Sequence, residues 1–414
     1  MHIDTDALLT RFFRYISIDT QSDPKRLESP STTQQFKLAN LLADELKMLG
    51  LKDVSVDEHA YVMGRLPARI AGDVPVTGFL AHMDTSPDMS GQNIRPLIHA
   101  NYDGKDLVLN KERGLIMKPD DFPVLKKYKG QTLITSDGNT LLGADNKAGI
   151  AEIMTALEFV NNKADIKHGD IRVGFTPDEE IGRGADLFDV KRFGADFAFT
   201  IDGGELGELQ YENFNAAWAG VNIEGRNIHP GEAKDKMINA CLLGMELNQM
   251  LPARERPEHT TNYEGFYHLT GFDGGVEHAT LEYIIRDHDH KNFERRKSHL
   301  RHCVNRLKEQ YGHNRVTLEM KDQYYNMYSK IHPVMHVVDL AKAAMEAAGV
   351  KPLIRPIRGG TDGARLSYMG LPCPNIFAGG HNYHGRFEFI PLESMEKATQ
   401  TIIQIIRLTA GQAL

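Results

Sequence analysis

Apolar positions recur at helical spacing in two opening segments. Leu8, Leu9, Phe12, Phe13 and Ile16 share one face of the first. Leu38, Leu41, Leu42, Leu46 and Leu49 line the second, with Ser31 or Thr32 as its cap and Gly50 as its stop. Short apolar runs follow that read as strands. They lie around 62–66, in VTGFLAH ending at His82, in DIRVGFT ending at Thr176, and in DFAFTI ending at Ile201. A helix from about Lys147 to Val160 separates them. Apolar strands alternating with helices predict an α/β domain, a mostly parallel sheet covered by helices on both faces. In such sheets ligands gather beyond the carboxyl ends of the strands.

From 213 to 324 the rhythm changes. AAWAGVNIEG reads as a strand, 233–250 as a helix, YHLTGF and HATLEYIIRD as a strand pair, 290–311 as a charged helix, and RVTLEMKD as a strand. This strand–helix–strand–strand–helix–strand order is complete in itself and predicts a smaller α+β, split-βαβ-like domain. The α/β pattern then resumes with a helix over 333–348, a strand at NIFA and a last helix over 392–408. The expected organisation is one α/β domain formed by 1–212 and 325–414, interrupted by an inserted domain at 213–324. The run Arg295, Arg296, Lys297 falls on a helix of mixed charge and reads as a solvated face.

Composition narrows the function. At 414 residues the chain has room for two or three domains of roughly 150 residues. Lys and Arg number 48 against 56 Asp and Glu, a net charge of -8, so no basic surface exists to displace counterions from nucleic acid or an anionic membrane. No run of about 18 apolar residues predicts a transmembrane helix, and the amphipathic, acid-bearing start lacks the features of a signal peptide. Cys241, Cys303 and Cys373 are odd in number and widely spaced, which argues against a disulfide framework and against a cysteine-rich zinc site. A reducing, cytoplasmic setting is expected.

Polar clusters sit where the strands end. His82 and Asp84 bracket Met83, and positions two apart on extended backbone share a face. The pair suits a metal ligand with a carboxylate that orients it, or a histidine bonded to a turn. Asp145 stands where a helix starts, either as its N-cap or as a carboxylate aimed into the same cleft. Glu179 and Glu180 follow Asp178 after a strand. Either this is an exposed acidic turn, or one glutamate binds a metal while the other serves as general base. Asp202 precedes Gly203-Gly204, as a turn residue or a ligand. His384 lies in the Gly-rich loop GGHNYHG, with His381 as a rival three residues earlier. Together His82, Asp145, Glu180, Asp202 and His384 fall along the strand-end edge of the α/β domain. Two histidines and three carboxylates fit two zinc ions that share one carboxylate.

The segments HMDTSPD, GADNKAGIAEIM, GDIRVGFTPDEEIGRGA, IDGGELGELQYENFNAA, NIHPGEAKDKMINA, YEGFYHL, YIIRDHD, YYNM and IRGGTDGARLSYMGLPCPNIFAGGHNYHG resemble the peptidase T family. This is the tripeptide aminopeptidase branch of the di-zinc exopeptidases related to carboxypeptidase G and aminoacylase. The resemblance spans nearly the whole chain in family order. It implies a zinc-exopeptidase-like catalytic domain with a lid, and a cytoplasmic enzyme that removes the N-terminal residue from tripeptides. It implies two zinc ions per chain on His82, Asp145, Glu180, Asp202 and His384, with Asp145 bridging and with cobalt or manganese as substitutes. Asp84 then supports the His82 ring and Glu179 is the general base. His229 of NIHPG is the histidine that the lid brings to the substrate, and Arg286, Asn326 and Arg358 hold the peptide. Asn146 follows Asp145 where relatives often carry a second Asp. The expected partner is a small peptide, with no nucleic acid and no membrane, and a homodimer is compatible with the pattern.

Three carboxylates would neutralise most of the +4 of two zinc ions and leave a Lewis-acidic centre. Two other functions fit the same residues less well. One is a carboxypeptidase or N-acyl amino acid deacylase of the same fold. The other is a non-catalytic peptide- or metal-binding protein, against which Glu179 speaks, since a pure metal binder needs no base beside its ligand.

Overall fold

The protein is described from a computed structural model, which covers residues 1–411. The described residues form two compact units: Met1–Tyr211 with Ser329–Arg355 and 361–411, and Glu212–Tyr328 with Pro356–Gly360.

The first unit is built on an eight-stranded sheet. At its centre Thr77–His82 lies between Ile171–Thr176 and Phe197–Gly203, parallel to both. Phe197–Gly203 is parallel in turn to Asn375–Phe377. Antiparallel pairings bring in Lys52–Val56 and Val62–Leu66 on one side and Glu208–Gln210 on the other. Every residue of TGFLAH is buried, as a central strand with helices on both faces requires. The helix Ala144–Asn162 lies directly on this sheet. A Cβ at Gly149 would collide with the carbonyl oxygen of Ile201, so glycine is what lets the helix approach the strand that carries Asp202.

The second unit is a four-stranded antiparallel sheet in the order Phe266–Gly274, His278–Asp287, Asn215–Glu224, Val316–Tyr324. Ala217, Ala219, Val221 and Ile223 alternate to the buried face, as do Ala279, Leu281, Tyr283 and Ile285. Against them pack Leu243 and Leu247 of the helix Ala240–Met250, and Phe293, Leu300, Val304 and Leu307 of the helix His290–Tyr311. Each such side chain contributes roughly 1.5–3 kcal/mol through burial.

Several expectations need correction. Ser31 and Thr32 do not cap a helix. The helix begins at Gln35 without a side-chain cap, because the Ser31 hydroxyl donates to Asp178 at 2.5 Å and that of Thr32 to the Gln21 carbonyl at 2.9 Å. The helix expected over 233–250 starts only at Ala240, where Asn239 caps it by accepting from the Leu242 amide. The residue before the cap, Ile238, is instead bridged to Arg226. The three-stranded sheet of Pro96–His99, Leu133–Ser136 and Phe389–Pro391 was not anticipated, nor was the grouping of 356–360 with the second unit. No helix among the described residues is long and apolar enough to cross a membrane.

Candidate metal centre

His82 ends its strand directly opposite Thr176, so the turn that follows Thr176 rises beside the imidazole. The Nδ1 of His82 lies 3.0 Å from the backbone carbonyl of Asp84 and 3.4 Å from its Oδ1. An Nδ1–H donated there leaves Nε2 with its lone pair free, the tautomer a metal ligand needs. The Asp84 carboxylate, fully buried, also accepts from the amides of Glu179 at 2.9 Å and Glu180 at 3.2 Å. One side chain therefore registers the histidine against both glutamates.

The turn itself is anchored by the third acid. Asp178 adopts φ 55°, a left-handed conformation rare for a non-glycine. Its buried carboxylate accepts from the Ser31 amide, the Ser31 hydroxyl and Gln35 Nε2. Asp178 is thereby satisfied away from the cluster, while Glu179 and Glu180 remain in it.

Asp145 does not cap its helix. Its backbone, at φ −83° and ψ 103°, is not helical, and the Asp145–Asn146 peptide is cis. Its Oδ1 lies 3.0 Å from His82 Nε2 and its Oδ2 3.2 Å from His384 Nε2. Asp202 Oδ1 stands 3.4 Å from His82 Nε2, and Glu180 Oε2 stands 2.8 Å from His384 Nε2. Two donor groups result, His82–Asp145–Asp202 and Asp145–Glu180–His384, each with its ligand atoms within 4.8 Å of one another. Tetrahedral zinc with bonds of ~2.0–2.2 Å separates its N and O ligands by about 3.3–3.6 Å, close to these spacings. Glu180 Oε1 is buried without a hydrogen-bond partner among the described residues, as a carboxylate awaiting a cation would be. The residues present fit a two-metal site.

Electrostatics agree. Burial opposes charge on His82, yet Asp202, Asp145 and Asp84 outweigh it and hold the ring well above its usual pKa. Asp145 and Glu180 raise His384 to about 11. Burial, reinforced by Asp145, pushes Glu180 up to about 8. Burial, reinforced by Asp202, Asp362 and Glu180, pushes Glu179 well above the usual carboxylate range. Protonated histidines partly fill the role that divalent ions would fill more completely.

The rival His381 is placed outside both groups. Its Nε2 is 2.6 Å from the Tyr128 hydroxyl, its ring stacks on Phe389, and burial lowers it to about 4. Two buried acids beside the centre escaped the sequence reading. Asp362 accepts from the Thr176 hydroxyl at 2.7 Å, and Glu388 accepts three amides of the Asp145 turn. The only signal for Asp362 was its place in the motif RGGTDG.

His229, Arg286, Asn326 and Arg358 belong to the second unit. His229 is exposed, with Nδ1 accepting from the Gly231 amide at 3.2 Å. Arg286 donates from Nη1 to the Arg358 carbonyl and faces the Tyr324 ring, while its buried Nε has no hydrogen-bond partner among the described residues. Arg358, expected to hold the peptide, makes its contacts here within the second unit. Its guanidinium donates to Thr260, Asn262 and Glu264 and lies over Phe214 and Phe266, so it clamps the 260–264 loop. Asn326 is likewise bonded within this unit: Oδ1 accepts from the Asn213 and Tyr328 amides, and Nδ2 donates to the His288 carbonyl.

Residues 134–408 match the model of peptidase family M20/M25/M40. The chain belongs to this family. It is 57% identical over 406 residues to a peptidase T of Geobacillus kaustophilus, covering 98% of this chain and 99% of that protein. It is 55% identical to a peptidase T of Bacillus subtilis, over 99% of this chain and all of that protein. Among solved structures, aminopeptidase PepT from Bacillus cereus superposes with a TM-score of 0.78 at 24% identity, covering 99% of each chain. A dinuclear metal binding peptidase of the M20 family from Bacillus subtilis gives a TM-score of 0.64 at 15% identity, covering 99% of this chain and all of that one. Likeness at such identities shows the M20 fold, a mixed α/β sheet with helices, as the strand pattern implied.

Proposed function

We propose that the protein is a metal-dependent aminopeptidase that releases the N-terminal residue of tripeptides. The observation that carries this reading is the pair of donor groups meeting at Asp145, in a chain more than half identical over almost its full length to proteins named peptidase T. We assign one zinc ion to His82, Asp145 and Asp202 and a second to Asp145, Glu180 and His384, with cobalt or manganese able to substitute. Ions bound there supply Lewis acidity, polarising the scissile carbonyl and lowering the pKa of a water.

The protein's residues do the rest. Glu179 takes the proton of the attacking water at its carboxylate and passes it to the departing amine nitrogen. Asp84 fixes the His82 ring and, through two amides, the places of Glu179 and Glu180. Arg286, with an Nε still to be satisfied, is assigned to the peptide's C-terminal carboxylate, which a guanidinium pairs bidentately. Arg358 and Asn326 are assigned one step back, as residues that shape the second unit. That unit is assigned the part of a lid, with His229 donating to the carbonyl oxygen as negative charge develops on it. Three cysteines without disulfides fit a reducing cytoplasm.

The deciding assay offers the purified protein a tripeptide, the matching dipeptide and tetrapeptide, and the N-acetylated tripeptide. Cleavage of the first bond of the free tripeptide is expected, abolished by a chelator and restored by zinc or cobalt. Release of the C-terminal residue or of acetate from the blocked peptide would reassign the protein as a carboxypeptidase or deacylase. Hydrolysis of none of them would make it a binder. His229→Ala should lower turnover on the order of 10²–10³, the range for a lost oxyanion donor, with zinc content unchanged. Zinc lost in parallel with turnover would move His229 from the substrate to the metal.

A further inference from the structure

Glu388 is buried to within 1% of full enclosure and belongs to neither donor group. Its Oε2 accepts from the amides of Leu142 at 2.7 Å and Gly143 at 2.9 Å, and its Oε1 from the amide of Asp145 at 3.1 Å. Three amides converging on one anion form strong, charge-assisted bonds, and they offset the repulsion of placing a second carboxylate beside Asp145. The backbone on either side of the contact is fixed. Gly143 holds φ 77°, a left-handed turn suited to glycine. The Glu388 amide donates to Gly385, and the next residue, Phe389, pairs with both Thr135 and His381. Glu388 follows His384 by four residues, so its side chain ties the loop of one ligand to the turn of the other.

The orientation of Asp145 matters more than that of any other ligand. Its two oxygens face different histidines, at 3.0 Å and 3.2 Å, so a tilt of the carboxylate plane lengthens one contact as it shortens the other. Centres of this kind need their ligands held within about 0.5 Å. We propose that Glu388 is a positioning residue that sets the shared Asp145 carboxylate and thereby couples the two metal positions. This inference rests on the assignment of Asp145 as the shared ligand.

Glu388→Gln tests it. Glutamine matches the size of glutamate but has one accepting oxygen. With that oxygen on Leu142 and Gly143, its NH2 group meets the Asp145 amide, donor against donor. Cobalt titration of the metal-free protein should show affinity lowered about 10- to 100-fold, as for other lost outer partners of metal ligands, with both ions affected together and the visible cobalt spectrum altered. At saturating cobalt, kcat should fall while KM for the tripeptide stays close to wild type. Cobalt affinity and spectrum equal to wild type would overturn the proposal. So would a lower melting temperature of the metal-free variant with unchanged metal binding, since that marks a purely structural acid. Should the variant not fold, hydrogen exchange in metal-free wild type decides: protected amides at 142, 143 and 145 support a turn held before metal arrives, and free exchange refutes it. Wild-type protein that binds no cobalt would overturn the metal assignment and this inference together. Protein that binds cobalt but cleaves no peptide would overturn only the substrate assignment.

Discussion

Replacing Glu179 by glutamine is expected to lower turnover by ~10²–10⁴, or further because the same group also serves the leaving amine. The substitution keeps the size of the side chain and the bond from the residue 179 amide to the Asp84 carboxylate, to which Glu179 contributes only its main chain. What it loses is the ability to accept a proton. Zinc content and substrate binding should therefore persist. Glu180→Gln should act differently, since Glu180 Oε2 stands 2.8 Å from His384 Nε2 within a donor group. A neutral amide there should weaken one metal position. Zinc analysis alongside single-turnover hydrolysis separates the two. Zinc lost from Glu179→Gln but retained by Glu180→Gln would reverse the roles, and normal turnover in both would reduce the pair to an acidic turn.

Residue types alone leave these neighbours equivalent after a strand, and it was the resemblance that told them apart. In the structure Glu180 joins a donor group and Glu179 does not, and the turn that carries both is fixed by its neighbours. Asp178 turns into the left-handed region and is consumed by Ser31 and Gln35, and Asp84 then fixes the next two amides. The strand ends themselves were legible, because fully buried strands such as Thr77–His82 read as apolar runs that stop at a polar residue. The pieces between 91 and 140 were not, since strands of three or four residues carry too little periodicity. Ser31 and Thr32 looked like caps because their hydroxyls favour that role, and a carboxylate 147 residues away claimed the first of them. Glu388 was hidden between two phenylalanines in RFEFIP, where it reads as the polar position of an alternating strand. Its three donors lie more than 240 residues away in sequence. For Arg358 the sequence offers the residue type, and the structure adds which carbonyls its N–H groups already meet.

Removing the shared ligand is expected to have the broadest effect. Asp202 and Glu180 each serve one donor group, whereas Asp145 serves both. Asp202→Ala and Glu180→Ala should each leave close to one tightly held ion, and Asp145→Ala should leave neither. Turnover in Asp145→Ala should then fall at least as far as in Glu179→Gln, because Lewis acidity and nucleophile activation are lost together. Thermal stability supplies a second readout. An ion that binds only the folded state stabilises it by RT ln(1 + [L]/Kd), about 4 kcal/mol at 1,000 times Kd. Wild-type protein should therefore melt several degrees lower after chelation. In Asp145→Ala that difference should vanish, with zinc present or absent. The single-ligand variants should retain part of it, because one group remains intact in each. If Asp145→Ala kept one ion and a partial thermal shift, Asp145 would serve a single metal, and the second position would have to draw its carboxylate from elsewhere in the cluster.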